Sequence, residues 1–179
     1  AGPGITQDRY GKNRVQALYD ATTGLEYVEV SKGKSKFSFT EFDIDQNGHG
    51  SHVAGVASSG KLSDAGKFNG IAPAARLVGV KVFDAQGRGS YADVIRGIDW
   101  IVTNRRTHHI DIINMSLSAP PRSHYWDDPL NQAVMAAWDA GIVVVASAGN
   151  TGPDAQSIGV PGNVPYVITV GAMTDNFTP

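Results

Sequence analysis

The chain has 179 residues, no cysteine, 21 glycines and 41% hydrophobic residues, with 15 Lys and Arg against 17 Asp and Glu for a formal charge of −2. That near-neutral balance lacks the electrostatic footprint of a nucleic-acid binder or a polybasic membrane-surface protein, and no apolar run approaches the roughly 20 residues that span a bilayer. The absence of cysteine excludes thiol catalysis, cysteine zinc sites and a disulfide framework, while the length suffices for one domain with a sizeable core.

The N-terminal Ala-Gly-Pro-Gly has no basic region leading into an apolar stretch, so no signal peptide is read there. The first 48 residues are the least regular. Arg14–Tyr19 and Leu25–Val30 alternate apolar and polar residues and read as strands, the second as an exposed hairpin arm. Ser31–Lys36 (SKGKSK) reads as a solvated basic loop.

From about Ile71 onward, short β-branched runs alternate with helical-period segments, the pattern of βαβ units around a parallel sheet. Leu77–Phe83 reads as a buried strand ending in the turn Asp84–Gly87. Ser90 is placed to cap a helix running through Asn104, with Asp93 completing a capping box and Val94, Ile98 and Ile101 on one face. Ile110–Met115 is a second apolar strand. Asp128-Pro129 opens another helix, with Gly141 past its end. Ile142–Ala146 and Tyr166–Val170 complete the set. There is no internal repeat and no low-complexity linker, so residues 1–179 are expected to form one domain.

Two stretches carry chemistry. In Asn47-Gly48-His49-Gly50-Ser51-His52, two glycines flank His49 where a helix begins. The positive end of a helix dipole favours the neutral imidazole that a general base requires. The same residues also read as a structural histidine pair, or as two metal ligands at i, i+3. In Ser147-Ala148-Gly149-Asn150-Thr151-Gly152, an asparagine follows the carboxyl end of the strand IVVVA, where open α/β sheets bind ligands. Its amide could be aimed at an oxyanion; alone, the stretch equally reads as a glycine-rich turn.

Taken in order, HGSHVAG, GIAPAARLVGVKVFDAQGRGSYADVIRGIDW, IINMSLS, GIVVVASAGNTGP and VPGNVPYVITVGA resemble the subtilisin-like serine proteases, peptidase family S8, over about Phe42 to Ala172. The resemblance implies an α/β fold of three layers with a mostly parallel sheet, and peptide-bond hydrolysis by a Ser-His-Asp triad. It implies that His49 is the general base, that His52 is structural, and that Asn150 is the oxyanion donor, whose loss in subtilisin costs on the order of 10² to 10³ in kcat. Gly87-Arg88-Gly89 and Ser116-Leu117-Ser118 resemble the two segments between which the family binds an extended peptide as an added strand. Tyr91 resembles a residue rimming the pocket for the fourth side chain before the cut. Ala148, Gly149 and Gly159 line the implied primary pocket, whose small residues suggest room for a large apolar side chain. Ser118 stands where many relatives have glycine.

The family's carboxylate lies in an Asp-[Ser/Thr]-Gly turn and its nucleophile in Gly-Thr-Ser-x-Ala, and neither motif occurs here. The reading is therefore a partial catalytic domain, without the central aspartate strand and the serine helix. Losing the subtilisin nucleophile costs about 2 × 10⁶ in kcat, so the chain alone is expected to be inactive. Removing the central strand leaves edges at Leu77–Phe83 and Ile110–Met115, which are expected either to pair directly or to drive element exchange into an intertwined dimer. The alternative to a peptidase is a non-catalytic module that binds extended peptides or self-associates.

Asp43 and Asp45 lie near His49 but match a surface loop rather than the missing carboxylate. Asp43–Gly48 fits half an EF-hand loop, yet Ala54 stands where the closing glutamate is needed. Structural calcium is implied by the resemblance with no ligand set assigned, and no other cofactor is implied. The implied partner is a peptide or protein substrate, with no nucleic acid or membrane, and the implied location is extracellular. A phosphate loop at Ser147–Gly152 would need a P-loop lysine or a GxGxxG that is not there.

Overall fold

A computed structural model describes residues 3–6, 13–28, 45–67 and 69–173. The chain divides into two compact units, Ala1–Gly97 and Ile98–Pro179, with the division falling inside one helix. The basic loop at 31–36 and Asp43 lie outside the described residues.

The first unit begins with the short helix α1 (Pro3–Thr6) and contains β1 (Val15–Asp20), β2 (Leu25–Val28), the helix α2 (His49–Ser58) and β3 (Leu77–Lys81). These strands form a sheet of order β2-β1-β3. The β1–β2 pair is antiparallel, with Asp20 opposite Leu25, and β1 runs parallel to β3. The hairpin turn is set by Asp20, whose Oδ1 accepts from the Thr22 backbone at 2.9 Å, and by Gly24 at φ 76°. As the alternating sequence implies, Val15, Ala17 and Tyr19 are buried, while Leu25 on the outer arm is exposed. Arg14 is also buried. Its guanidinium donates to the Ile5 carbonyl at 2.7 Å and the Pro73 carbonyl at 3.1 Å, which ties α1 to the approach of β3.

The helix α3 (Tyr91–His108) crosses from the first unit into the second. Ser90 and Asp93 pair at its start, as expected. Ser90 Oγ accepts from the Asp93 backbone N–H at 3.1 Å and donates its hydroxyl to Asp93 Oδ2 at 2.7 Å. Val94, Ile98 and Ile101 are buried along one stripe, as their spacing predicts. Gly97 lets the helix lie close to β3, because a Cβ there would come 2.8 Å from Val82 Cγ1 and 3.0 Å from Val80 Cγ1.

The second unit contains β4 (Ile112–Met115), α4 (Pro129–Asp139), β5 (Val143–Ser147) and β6 (Ile168–Val170), with a parallel sheet of order β4-β5-β6. Asp128 caps α4, its Oδ1 accepting from the backbone of Leu130 at 2.9 Å and Asn131 at 3.1 Å, with Pro129 in the first turn. Gly141 follows the helix at φ 81°. The core holds Ile113, Met115, Val144 and Ala146 from the sheet with Leu130, Val134 and Ala137 from α4.

Burial departs from the sequence reading. Leu77–Phe83 reads as a buried strand, but β3 is half-buried along its whole length, and along β4, β5 and β6 the burial alternates. Ile112 is 64% exposed, Ile168 56% and Val170 53%. Apolar runs of this kind suit a sheet covered on both sides, and the described residues leave this face open. Among the described strands, β3 is hydrogen-bonded only to β1, and β4 only to β5. The backbone carbonyl of Arg14 accepts from Leu77 at 2.9 Å where β1 and β3 come together.

Candidate active site

The residues singled out from sequence fall in both units. In the first, α2 begins at His49 after a left-handed Gly48 (φ 89°) that offers no side-chain cap. His49 and His52 are both exposed. A helix start leaves backbone N–H groups without intrahelical partners, and here an upstream side chain supplies them. Asp45 Oδ1 accepts from the Gly48 backbone at 2.9 Å and Oδ2 from the Ser51 backbone at 2.6 Å. Burial pushes the Asp45 carboxyl up, but the hydrogen bonds from the side chain and backbone of Ser51 and from Gly48, with the Lys81 charge, outweigh it and hold it below the usual carboxylate value.

The predicted turn at Asp84–Gly87 forms. Asp84 Oδ1 accepts from the backbone of Gln86 and Arg88, both at 2.9 Å, and Gly87 takes φ 75°. The Arg88 backbone N–H is the main reason that the Asp84 carboxyl also lies low. A Cβ on Gly87 would approach the Asn47 amide to 3.1 Å, and one on Gly89 would come 2.5 Å from the Val82 carbonyl. The loop leading to His49 and the Gly87–Gly89 segment are thus adjacent. Tyr91 opens α3 two residues beyond Gly89.

In the second unit, Ser116, Leu117 and Ser118 follow β4, and Ala148, Gly149 and Asn150 follow β5, so both segments lie past the carboxyl ends of parallel strands. Ser116 Oγ accepts from Asn114 Nδ2 at 2.9 Å. The Ala148 carbonyl accepts from the Gly159 backbone at 3.0 Å, and Ala119 and Val160 exchange two backbone hydrogen bonds of 2.9 Å. These bonds draw three of the predicted pocket residues together. A Cβ at Gly149 would stand 2.8 Å from Ser118 Oγ, and one at Gly159 would collide with the same oxygen. Gly149 also has φ 94°, which favours glycine on its own account. Asn150 is exposed at the end of this segment.

A profile of the subtilase family matches residues 19–178. The chain belongs to the subtilase family. It is 48% identical over 139 residues to serine protease AprX of Bacillus subtilis, covering 75% of this chain and 31% of that protein. It is 39% identical over 151 residues to subtilisin DY of Bacillus licheniformis, covering 83% and 52%. Among solved structures, sphericase aligns with a TM-score of 0.62 at 36% identity over 74% of this chain and 43% of that one. A cold-adapted subtilisin-like serine proteinase aligns with a TM-score of 0.66 at 29% identity over 97% and 52%. The subtilase chain therefore spans between about a third and a half of these two curated relatives, and its fold is the α/β, parallel-sheet architecture that its motifs imply.

Sequence reasoning missed two contributors. Asp45 lies in the loop before α2, where the sequence puts it, and its carboxylate also serves the first turn of that helix; an acidic residue just upstream of a glycine-led helix is the signal for this. Asn131 was not singled out. It is fully buried and its Nδ2 donates to Asn163 Oδ1 at 3.0 Å. Among the described residues, no three His, Asp or Glu groups are placed to hold a metal ion, and no helix is long and apolar enough to cross a membrane.

Proposed function

We propose that residues 1–179 are part of the catalytic domain of a subtilisin-like serine endopeptidase that binds extended peptides. His49 acts as general base and Asn150 as oxyanion donor. Gly87, Gly89, Tyr91, Ser116, Leu117, Ser118, Ala148, Gly149 and Gly159 contact substrate. The observation that carries this reading is the convergence of Ser118, Gly149 and Gly159 beyond the carboxyl ends of β4 and β5, where parallel sheets bind ligands.

In the reaction, the histidine takes the proton of a serine as its oxygen attacks the scissile carbonyl, then returns that proton to the leaving amine, while a carboxylate orients the imidazole. The Asn150 amide donates to the oxyanion that forms between these steps. This chain contains neither the Asp-[Ser/Thr]-Gly nor the Gly-Thr-Ser motif, so alone it is inactive. Glycines at 149 and 159 would give a roomy pocket, but the Ser118 hydroxyl stands in the gap between them. That favours small side chains over large ones at the cleaved residue. Extracellular action is consistent with relatives such as the minor extracellular protease Epr of Bacillus subtilis.

The second reading, a non-catalytic module that self-associates by element exchange, is favoured by the exposed Ile112, Ile168 and Val170. The two are separated by assaying this chain beside a longer product of the same coding sequence that carries both missing motifs. The peptidase reading expects hydrolysis of a peptide amide by the longer protein, loss of roughly 10⁴-fold or more on His49→Ala, and no turnover by the chain alone. An inactive longer protein, or full activity of its His49→Ala variant, would overturn it, and a stable dimer of this chain on light scattering would support the module.

A further inference from the structure

We infer that Asp45 is a positioning residue for His49, an inference that rests on His49 being the catalytic base. The two oxygens of one carboxylate take the N–H of Gly48 and the N–H of Ser51, the residues on either side of the Gly48–Ser51 turn that contains His49. The turn is closed from within by His52, whose backbone donates to the Gly48 carbonyl at 3.0 Å. Gly48 supplies no cap and is left-handed, and Gly50 brings no Cβ against the carboxylate. With a glycine on each side of His49, the local chain has little conformational preference of its own. The Asp45 clasp therefore sets where the imidazole projects.

The clasp is itself held from β3. Lys81 Nζ donates to Gln46 Oε1 at 2.6 Å, which fixes the loop between the acid and the helix, and its charge favours the ionised Asp45. The low-lying Asp45 carboxyl means that the clasp is charged at neutral pH. A fixed anion at this helix start also opposes the positive end of the macrodipole, where an imidazolium must form during proton transfer. Among the described residues, the charged and titratable groups linked to this loop and helix are Asp45, Lys81 through Gln46, His52, and the Asp84–Arg88 pair in the turn that lies against Asn47.

The experiment compares Asp45→Asn and Asp45→Ala with the parent sequence in two settings. In this chain, amide hydrogen exchange at Gly48 and Ser51 is expected to quicken at least tenfold in both variants, while Ser58 at the other end of α2 is unchanged. In the longer protein that carries the missing motifs, kcat is expected to fall about tenfold with KM within twofold. Asparagine, which keeps one acceptor oxygen, should lie between aspartate and alanine. Unchanged exchange at Ser51, or a loss that falls on KM alone, overturns the inference. If the parent longer protein hydrolyses nothing while exchange quickens as described, the assignment of His49 as base fails and the clasp stands. Asp45→Asn is nearly isosteric, so it keeps the test valid if Asp45→Ala does not fold.

Discussion

Asn131 Nδ2 donates to Asn163 Oδ1 over 3.0 Å, joining the first turn of α4 to the loop that begins at Gly159. Asn131 is fully buried, and its own Oδ1 accepts no hydrogen bond among the described residues. The amide is retained at the cost of one unmatched acceptor, so its value lies in the link to Asn163. Asn131→Ala removes that link and opens a small cavity. It is expected to lower stability by about 2 kcal/mol, read as a shift of the urea midpoint at unchanged slope.

Asp128 is buried and serves two backbone N–H groups of α4 through a single oxygen. Asp128→Ala is expected to cost about 1–2 kcal/mol, with Asp128→Asn recovering most of it, since an amide oxygen can accept both bonds. Urea unfolding of the two variants checks the order. Equal losses would show that the charge, not the cap geometry, matters.

Gly159→Ala forces a methyl group against Ser118 Oγ and to 2.9 Å from the Ala119 carbonyl. A loss of about 1–3 kcal/mol is expected. Adding Ser118→Gly should return part of it and leave the share due to the Ala119 backbone. A double-mutant cycle in thermal unfolding measures that coupling.

Asp45, Asp84 and Asp93 all titrate below the usual carboxylate value, Asp93 chiefly through the Ser90 hydroxyl. A carboxyl held low in the folded state stabilises the fold above its unfolded pKa and loses that contribution as pH falls through the folded value. Stability is therefore expected to decline from about pH 4 downward, and Asp45→Asn should flatten the decline. Urea midpoints measured from pH 6 to pH 3 test this. A midpoint that rises on acidification would contradict it.

The legible parts of the fold were those encoded by local periodicity and capping. Ser90 with Asp93, and Asp128 with Pro129, marked two helix starts because a cap is a short-range hydrogen bond between neighbours in sequence. The stripe of Val94, Ile98 and Ile101 was visible for the same reason. The parallel pairing of β1 with β3 was not, because Leu77 meets Arg14 across more than sixty residues and nothing local announces it. The alternating exposure of Ile112 and Ile168 was also hidden, since an apolar run does not say which face lacks a cover. At the candidate site, the motifs place the segments that carry His49 and Asn150 at the start of a helix and past the end of a strand, where the structure has them. The Asp45 clasp and the Ser118 wedge were not legible, because each depends on where one side-chain oxygen ends up in space.

That wedge also bears on how the sequence could have arisen. Ser118 fills room that Gly149 and Gly159 leave free, so substitutions at the three positions are coupled. Serine at 118 is accommodated most easily while both partners are glycine, and once there it penalises a side chain at 159. Substitution at these sites runs more easily in one order than in the other. A change from glycine to serine at 118 thus acts as a ratchet, narrowing the routes by which the pocket could later be reshaped.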